Sequence, residues 1–199
     1  MKEVTKKEDF DGIIVLDDVI SEELTDKLVD YISNLKDDEL KTESYGPTSN
    51  VNCKYIGLLE IKDKKTRDEL DSGVFEVVGN IIKYLKKEYE FEGGQDSGYQ
   101  LRKIYGPTRQ HVDGPFTHPK SLTPSSIITV DAVRTGSLII SLNDDYKGGE
   151  FKFPYQKKTF RLKKRQAVIF PPYWTHPHSV SSPTEKTLRY TINTWITGM

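Results

Sequence analysis

The sequence predicts a mainly β fold, an antiparallel sandwich or jelly roll with N-terminal helices covering one face. Three observations carry this. Ahead of residue 95, apolar residues recur at three- and four-residue spacing. From Tyr99 onward they come in short runs broken by turn residues, and no helical pattern intervenes, so successive strands run antiparallel. At 199 residues the chain suits one domain and can bury a core without disulfides. The expected division is one domain over 1–199, with 1–95 giving helical support and outer strands and 96–199 the jelly-roll core.

In chain order, Gly12 to Leu16 is a short β-branched run. Ser21-Glu22-Glu23 then supplies an N-cap and two carboxylates in a first helical turn, where the helix dipole favours them. Leu24, Leu28, Tyr31, Ile32 and Leu35 form one apolar stripe on that helix. Residues 37–50 read as a loop and Val51 to Leu58 as a strand. A longer helix spans about Lys65 to Tyr89, with Leu70, Val74, Val77, Val78, Ile81, Ile82 and Leu85 on its apolar face, and Gly93-Gly94 closes the region. Strands are expected at Tyr99 to Tyr105, Ile127 to Val133, Ser137 to Leu142, Glu150 to Phe153, Thr159 to Leu162, Ala167 to Phe170 and Arg189 to Ile196. Asn143 to Gly149 reads as a hairpin connection and Lys163 to Gln166 as a second polar turn. Gly114 to Ser126, rich in proline, reads as a long loop of the kind that grips substrate.

Basic and acidic residues nearly cancel, 29 against 30, so no field is aimed at nucleic acid or an anionic membrane. A lone cysteine, Cys53, makes no internal disulfide and no thiolate cluster, which favours a reducing compartment. The charged start and the short apolar runs carry no signal or membrane segment, so the expectation is a soluble, cytoplasmic protein, monomeric or weakly oligomeric.

The chemistry-bearing stretch is Gln110-His111-Val112-Asp113-Gly114. In an extended segment His111 and Asp113 project to the same side and can reach one metal ion. Two of the other histidines, His176 and His178, stand together after an apolar run and share strand parity, so alternation leaves both open as a third ligand. Two imidazoles and one carboxylate on one face of a metal leave positions open opposite, which suits a non-haem Fe(II) centre. In the last strand, Arg189, Thr191, Asn193 and Trp195 share a polar face, and Leu188, Tyr190, Ile192 and Ile196 share an apolar one expected to meet the helices. Leu138, Ile140 and Leu142 should likewise face the helices, leaving Ser137, Ile139 and Ser141 inward. A permanently charged Arg189 pointing into a barrel requires an anion, and a carboxylate matches its planar fork.

These residues resemble the 2-oxoglutarate- and Fe(II)-dependent dioxygenases, and within them the prolyl 4-hydroxylase-like group. The resemblance runs through His111-Val112-Asp113, Ile139 to Asp145, Gly148 to Pro154, Ala167 to Pro171, and His178-Ser179-Val180 leading to Arg189 to Trp195. It implies a distorted double-stranded β-helix core, with His111, Asp113 and His178 as iron ligands and Arg189 holding the distal carboxylate of 2-oxoglutarate. It also implies Tyr105, Ser141, Asn193 and Trp195 near the co-substrate, O2 as oxidant, ascorbate as reductant and a proline-containing peptide or protein as substrate. His176 stands where the family has an aromatic, which makes it a supporting residue and His178 the ligand; His118 reads as a solvated loop histidine. Asp113 fills the position that halogenating relatives leave to chloride, which favours hydroxylation. Against the family pattern, Arg189 lies one residue further from His178, an addition expected as a bulge or wider turn around Ser182-Pro183. Two other readings remain at this level: the same chemistry on a free amino acid or other small molecule, and a metal-binding jelly roll without turnover.

Overall fold

A computed structural model describes residues 5–43, 52–114, 133–184 and 187–198. The chain opens with strands β1 (Thr5–Phe10) and β2 (Ile13–Asp17), paired as a hairpin. Helix α1 (Glu22–Asn34) starts where the sequence places it: the Ser21 hydroxyl accepts from the Leu24 N–H at 3.2 Å and satisfies one of the donors left over at a helix start. Strands β3 (Lys41–Glu43) and β4 (Cys53–Gly57) follow, then α2 (Lys64–Tyr89), capped by the Asp63 carboxylate on the Thr66 N–H at 2.8 Å. α2 stops ahead of Gly93-Gly94, because Glu90 takes the left-handed conformation that terminates it.

The remaining strands are β5 (Gln95–Asp96), β6 (Gln100–Ile104), β7 (Thr108–His111), β8 (Val133–Ser141), β9 (Lys147–Gly148), β10 (Phe151–Phe153), β11 (Lys158–Phe160), β12 (Ala167–Phe170), β13 (His178–Val180), β14 (Pro183–Thr184) and β15 (Arg189–Gly198). One sheet runs β1-β2-β12-β8-β15-β6-β4-β3, with β5 beside the end of β15. A second runs β11-β10-β13-β7, and β14 and β9 form a two-stranded ladder. Every pairing among the described residues is antiparallel.

Two cores follow from strand alternation. Ile14, Leu16, Leu138, Ile140, Ala167, Ile169, Ile192 and Ile196 leave the large sheet toward the apolar stripes of α1 and α2. Their neighbours Ile13, Val15, Val168 and Phe170 point the other way, onto Phe151, Phe153 and Val180 of the small sheet. Strands buried on both faces read as unbroken apolar runs, which is why Ile13 to Leu16 and Ala167 to Phe170 carry no polar residue. The sheet between the helices and the small sheet therefore holds its inner face in a fixed position relative to β7 and β13.

Several expectations change. Asn143 to Gly149 is not a hairpin: β8 belongs to the large sheet and β10 to the small one, so the segment crosses between layers. Within it Gly148 has φ +77°, and a Cβ there would meet the Ser182 carbonyl at 2.2 Å, so only glycine allows β9 to pair with β14. β14 of that ladder begins at Pro183, at the place where the added residue is expected, and residues 185 and 186 lie outside the described residues. Leu188 precedes β15 and is only half-buried, outside the helix-side core that takes Tyr190, Ile192 and Ile196. The loop over 115–126, His118 and the strand expected from 127 to 132 lie outside the described residues.

Candidate metal centre

β7 and β13 pair in the small sheet with His111 opposite His178, so two imidazoles from distant parts of the sequence become neighbours through a strand register. Their ring centroids are 4.4 Å apart. Asp113, just past β7, turns its Oδ1 to 3.0 Å from His111 Nε2 and 3.8 Å from His178 Nε2. One ligand atom from each residue lies within 4.8 Å of the other two. Such a span can close on a single ion with bonds of ordinary length.

The surroundings prepare each donor. His111 Nδ1 donates to the Arg109 carbonyl at 2.9 Å and His178 Nδ1 to the His176 carbonyl at 3.2 Å, which leaves both Nε2 atoms facing the common point. The His178 ring is held by the face of Phe153 and the edge of Phe170, centroids 5.4 and 4.6 Å away. Asp113 Oδ2 accepts from Ser137 Oγ at 2.5 Å and Trp195 Nε1 at 3.1 Å, so Oδ1 alone is presented to an ion. Arg134 Nη1 donates to the Asp113 carbonyl at 2.9 Å, and its guanidinium stacks 4.1 Å from the Trp195 ring. Burial works to raise the Asp113 pKa, but the hydrogen bonds from His111 and Ser137 outweigh it and hold the carboxyl well below its usual range. Burial is the largest influence on His178 and lowers its pKa, keeping the ring in the neutral form that ligates.

The cavity beside this triad is walled by β6, β8 and β15. Arg189 enters it 3% exposed, with its guanidinium 4.9 Å from the Phe151 ring and its Nε and Nη2 lacking any hydrogen-bond partner. A buried cation with two idle donors is costly unless a ligand supplies the acceptor, and a carboxylate fits the fork. Asn193 and Trp195 share this wall, as alternation requires. Ser141 and Tyr105 do not line the cavity. The Ser141 hydroxyl is spent on the Asn143 carbonyl at 3.0 Å, and Tyr105 lies on the opposite face of its strand, its hydroxyl donating to Asp37 at 3.0 Å. His176 also turns away: its Nε2 donates to the Asp11 carbonyl at 3.0 Å and ties the β1–β2 turn to the segment before β13. Sequence reasoning missed Arg102 and Arg134. Arg102 shares parity with Ile104 and not with Tyr105, so placing Tyr105 beside the co-substrate turned it outward; Arg134 gave no signal.

The model of the 2OG-Fe(II) oxygenase superfamily matches residues 99–197, the stretch that contains the triad and the cavity-lining residues. The chain belongs to the 2OG-Fe(II) oxygenase superfamily. Two imidazoles with one carboxylate, and a buried guanidinium awaiting an anion, fit Fe(II) and 2-oxoglutarate, and the oxygenase uses these with O2. No curated protein matches at the sequence level. Among solved structures, this oxygenase resembles the viral collagen prolyl hydroxylase of Paramecium bursaria Chlorella virus-1 in its 2OG complex, with TM-score 0.64 and 15% identity over 94% of this chain and 96% of that one. A prolyl hydroxylase from Trichoplax adhaerens, in complex with a hypoxia inducible factor peptide fragment, gives TM-score 0.64 and 13% identity over 94% and 83%. A Pseudomonas putida prolyl-4-hydroxylase gives 0.61 and 13% over 94% and 93%. At these identities the likeness is one of fold, and it includes the jelly-roll core. No helix among the described residues is long and apolar enough to cross a membrane.

Proposed function

We propose that this oxygenase hydroxylates a prolyl residue within a peptide or protein. The observation that supports this reading is an apolar rim tied directly to the metal segment. Val112, between two of the three candidate ligands, is 41% exposed, and Trp174 and Tyr155 are 78% and 67% exposed. The Gly114 N–H donates to the Pro172 carbonyl at 2.9 Å, so the segment bearing Trp174 is fastened beside Asp113, and Gln156 Nε2 donates to the Thr175 carbonyl at 3.0 Å, which ties the segment bearing Tyr155 to that of Trp174. Large exposed aromatics at the edge of a site offer flat faces against which a pyrrolidine ring packs. The fold of the prolyl hydroxylases agrees with it.

In this reading His111, Asp113 and His178 hold Fe(II) through Nε2, Oδ1 and Nε2, and Arg189 holds the distal carboxylate of 2-oxoglutarate. When bound, the iron and co-substrate couple oxidative decarboxylation of 2-oxoglutarate, giving succinate and CO2, to hydroxylation of a C–H bond. The chain's own share is orientation. Ser137 and Trp195 keep Asp113 Oδ2 from swinging onto the metal, and Phe153, Phe170 and the backbone carbonyls fix the imidazoles. Proline-containing peptides incubated with the enzyme, Fe(II), 2-oxoglutarate and ascorbate should gain the mass of one oxygen on proline, with equimolar succinate. Succinate formed only with free amino acids, and never with peptides, refutes the peptide reading.

A further inference from the structure

A second arginine faces the co-substrate cavity. Arg102 of β6 is 8% exposed and lines the cavity with Arg189 and Asn193. Strand parity puts it there: Arg102 and Ile104 face in, whereas Lys103 and Tyr105 face out, the Lys103 ammonium 5.9 Å from the Tyr105 ring. In the β6–β15 register Arg189 stands opposite Ile104, and Thr191 opposite Arg102. The two guanidinium-bearing positions are therefore one inward step apart, about 7 Å along the strands. Arg102 is the one nearer the metal end, where Trp195 stands opposite Ser137.

Two guanidiniums walling one small cavity repel each other, and the repulsion is strong where water is excluded. Glu43 of β3 forms an ion pair with Arg102, and the Asn193 amide supports it from the cavity side. In the orientation that satisfies both ends of that amide, its oxygen lies 3.3 Å from Arg102 Nη1 and its nitrogen 2.7 Å from Thr191 Oγ1. Glu43 thus holds Arg102 at the wall by its outer edge, half-exposed, and does not enter the cavity lining. A cavity with a metal triad at one end and two guanidiniums along its length matches a ligand with two carboxylates, one for each cation.

We propose that Arg102 is a second anion-binding residue of this site, contacting the carboxylate next to the 2-oxo group while Arg189 holds the distal one. The inference rests on the oxygenase reading and adds a residue to it. The test is calorimetric titration of 2-oxoglutarate into the full chain loaded with Mn(II), which reads binding without turnover. Arg102→Gln weakens binding about tenfold or more, the loss of one charge-assisted hydrogen bond. Glu43→Gln binds as tightly as the parent or more tightly, because it removes the negative charge competing for Arg102. A probe with only the proximal carboxylate, 2-oxobutyrate, is weakened by Arg102→Gln and indifferent to Arg189→Met. Arg102→Lys keeps the charge without the fork, and settles the matter by a partial loss if Arg102→Gln does not fold. Parent-like affinity in Arg102→Gln or Arg102→Lys, or an equal loss in Glu43→Gln and Arg102→Gln, reduces the pair to a structural strut and overturns the inference alone. A parent chain that binds no 2-oxoglutarate overturns the co-substrate assignment with it.

Discussion

Replacing Arg189 by methionine separates what is good for the fold from what is good for the site. Arg189 is almost wholly buried, two of its donors are idle, and burial is the foremost influence lowering its pKa. Replacing even a buried ion pair by apolar side chains of similar volume is often neutral or stabilising by about 1–4 kcal/mol, and a buried guanidinium facing no carboxylate has more desolvation to recover. The contact with the Phe151 ring is lost as a cation–π interaction, but a thioether against the same ring offsets part of it. For a domain of this size each kcal/mol moves the midpoint by about 2–4 °C, so Arg189→Met without co-substrate should melt several degrees higher than the parent. With co-substrate the order reverses. At one hundred times its Kd, 2-oxoglutarate should stabilise the Mn(II)-loaded parent by about 2.7 kcal/mol, a shift of roughly 5–10 °C, and should leave Arg189→Met unmoved. Thermal unfolding with and without 2-oxoglutarate measures both. An Arg189→Met protein that melts lower than the parent and still shifts fully with 2-oxoglutarate would refute the reasoning, since Arg189 would then be paired by the fold and uninvolved in the anion site.

Three further outcomes are expected. His178→Ala should abolish metal binding, whereas His176→Ala should keep it and lose about 1 kcal/mol of stability with the bond to the Asp11 carbonyl, as read by metal titration and denaturant unfolding. Ser137→Ala frees Asp113 Oδ2 from one of its two donors and should weaken metal affinity about tenfold, the usual effect of removing an outer partner of a ligand, with little change in the circular dichroism spectrum. Cys53 is buried, and burial pushes its thiol up to about 11, so the folded protein should resist alkylation at pH 8 and react only when unfolded. Because that folded value exceeds the unfolded one of about 8.5, stability should fall as pH rises between the two, and Cys53→Ala should remove that part of the pH dependence of the melting temperature.

The sequence by itself determined both helices, most of the longer strands, and which face of each is apolar. Period-two alternation sent Leu138, Ile140 and Leu142 to the helices and Arg189, Asn193 and Trp195 inward, and the helix stripes and the Ser21 cap were equally legible, because these patterns are local consequences of backbone geometry. The short spacing of His111 and Asp113 is of the same kind. The strands β7 and β13 that carry His111 and His178 were not legible as strands: at four and three residues, they are too short to show a period and are extended because each pairs with the other. Alternation could not choose between His176 and His178; the family resemblance chose His178, and the tertiary structure supplies the physical reason. Parity had put the two histidines on one side, but His176 lies in the turn before β13, where alternation does not apply, and its ring is drawn to the β1–β2 turn. The same holds for Tyr105, whose resemblance to a cavity residue could not survive a strand in which Arg102 and Ile104 face inward. The crossing of Asn143 to Gly149 from one sheet to the other, and the meeting of Arg102, Arg189 and Glu43, depend on pairings between residues far apart in the chain. Local physics sets the side a residue faces; only the register between distant strands sets what it faces.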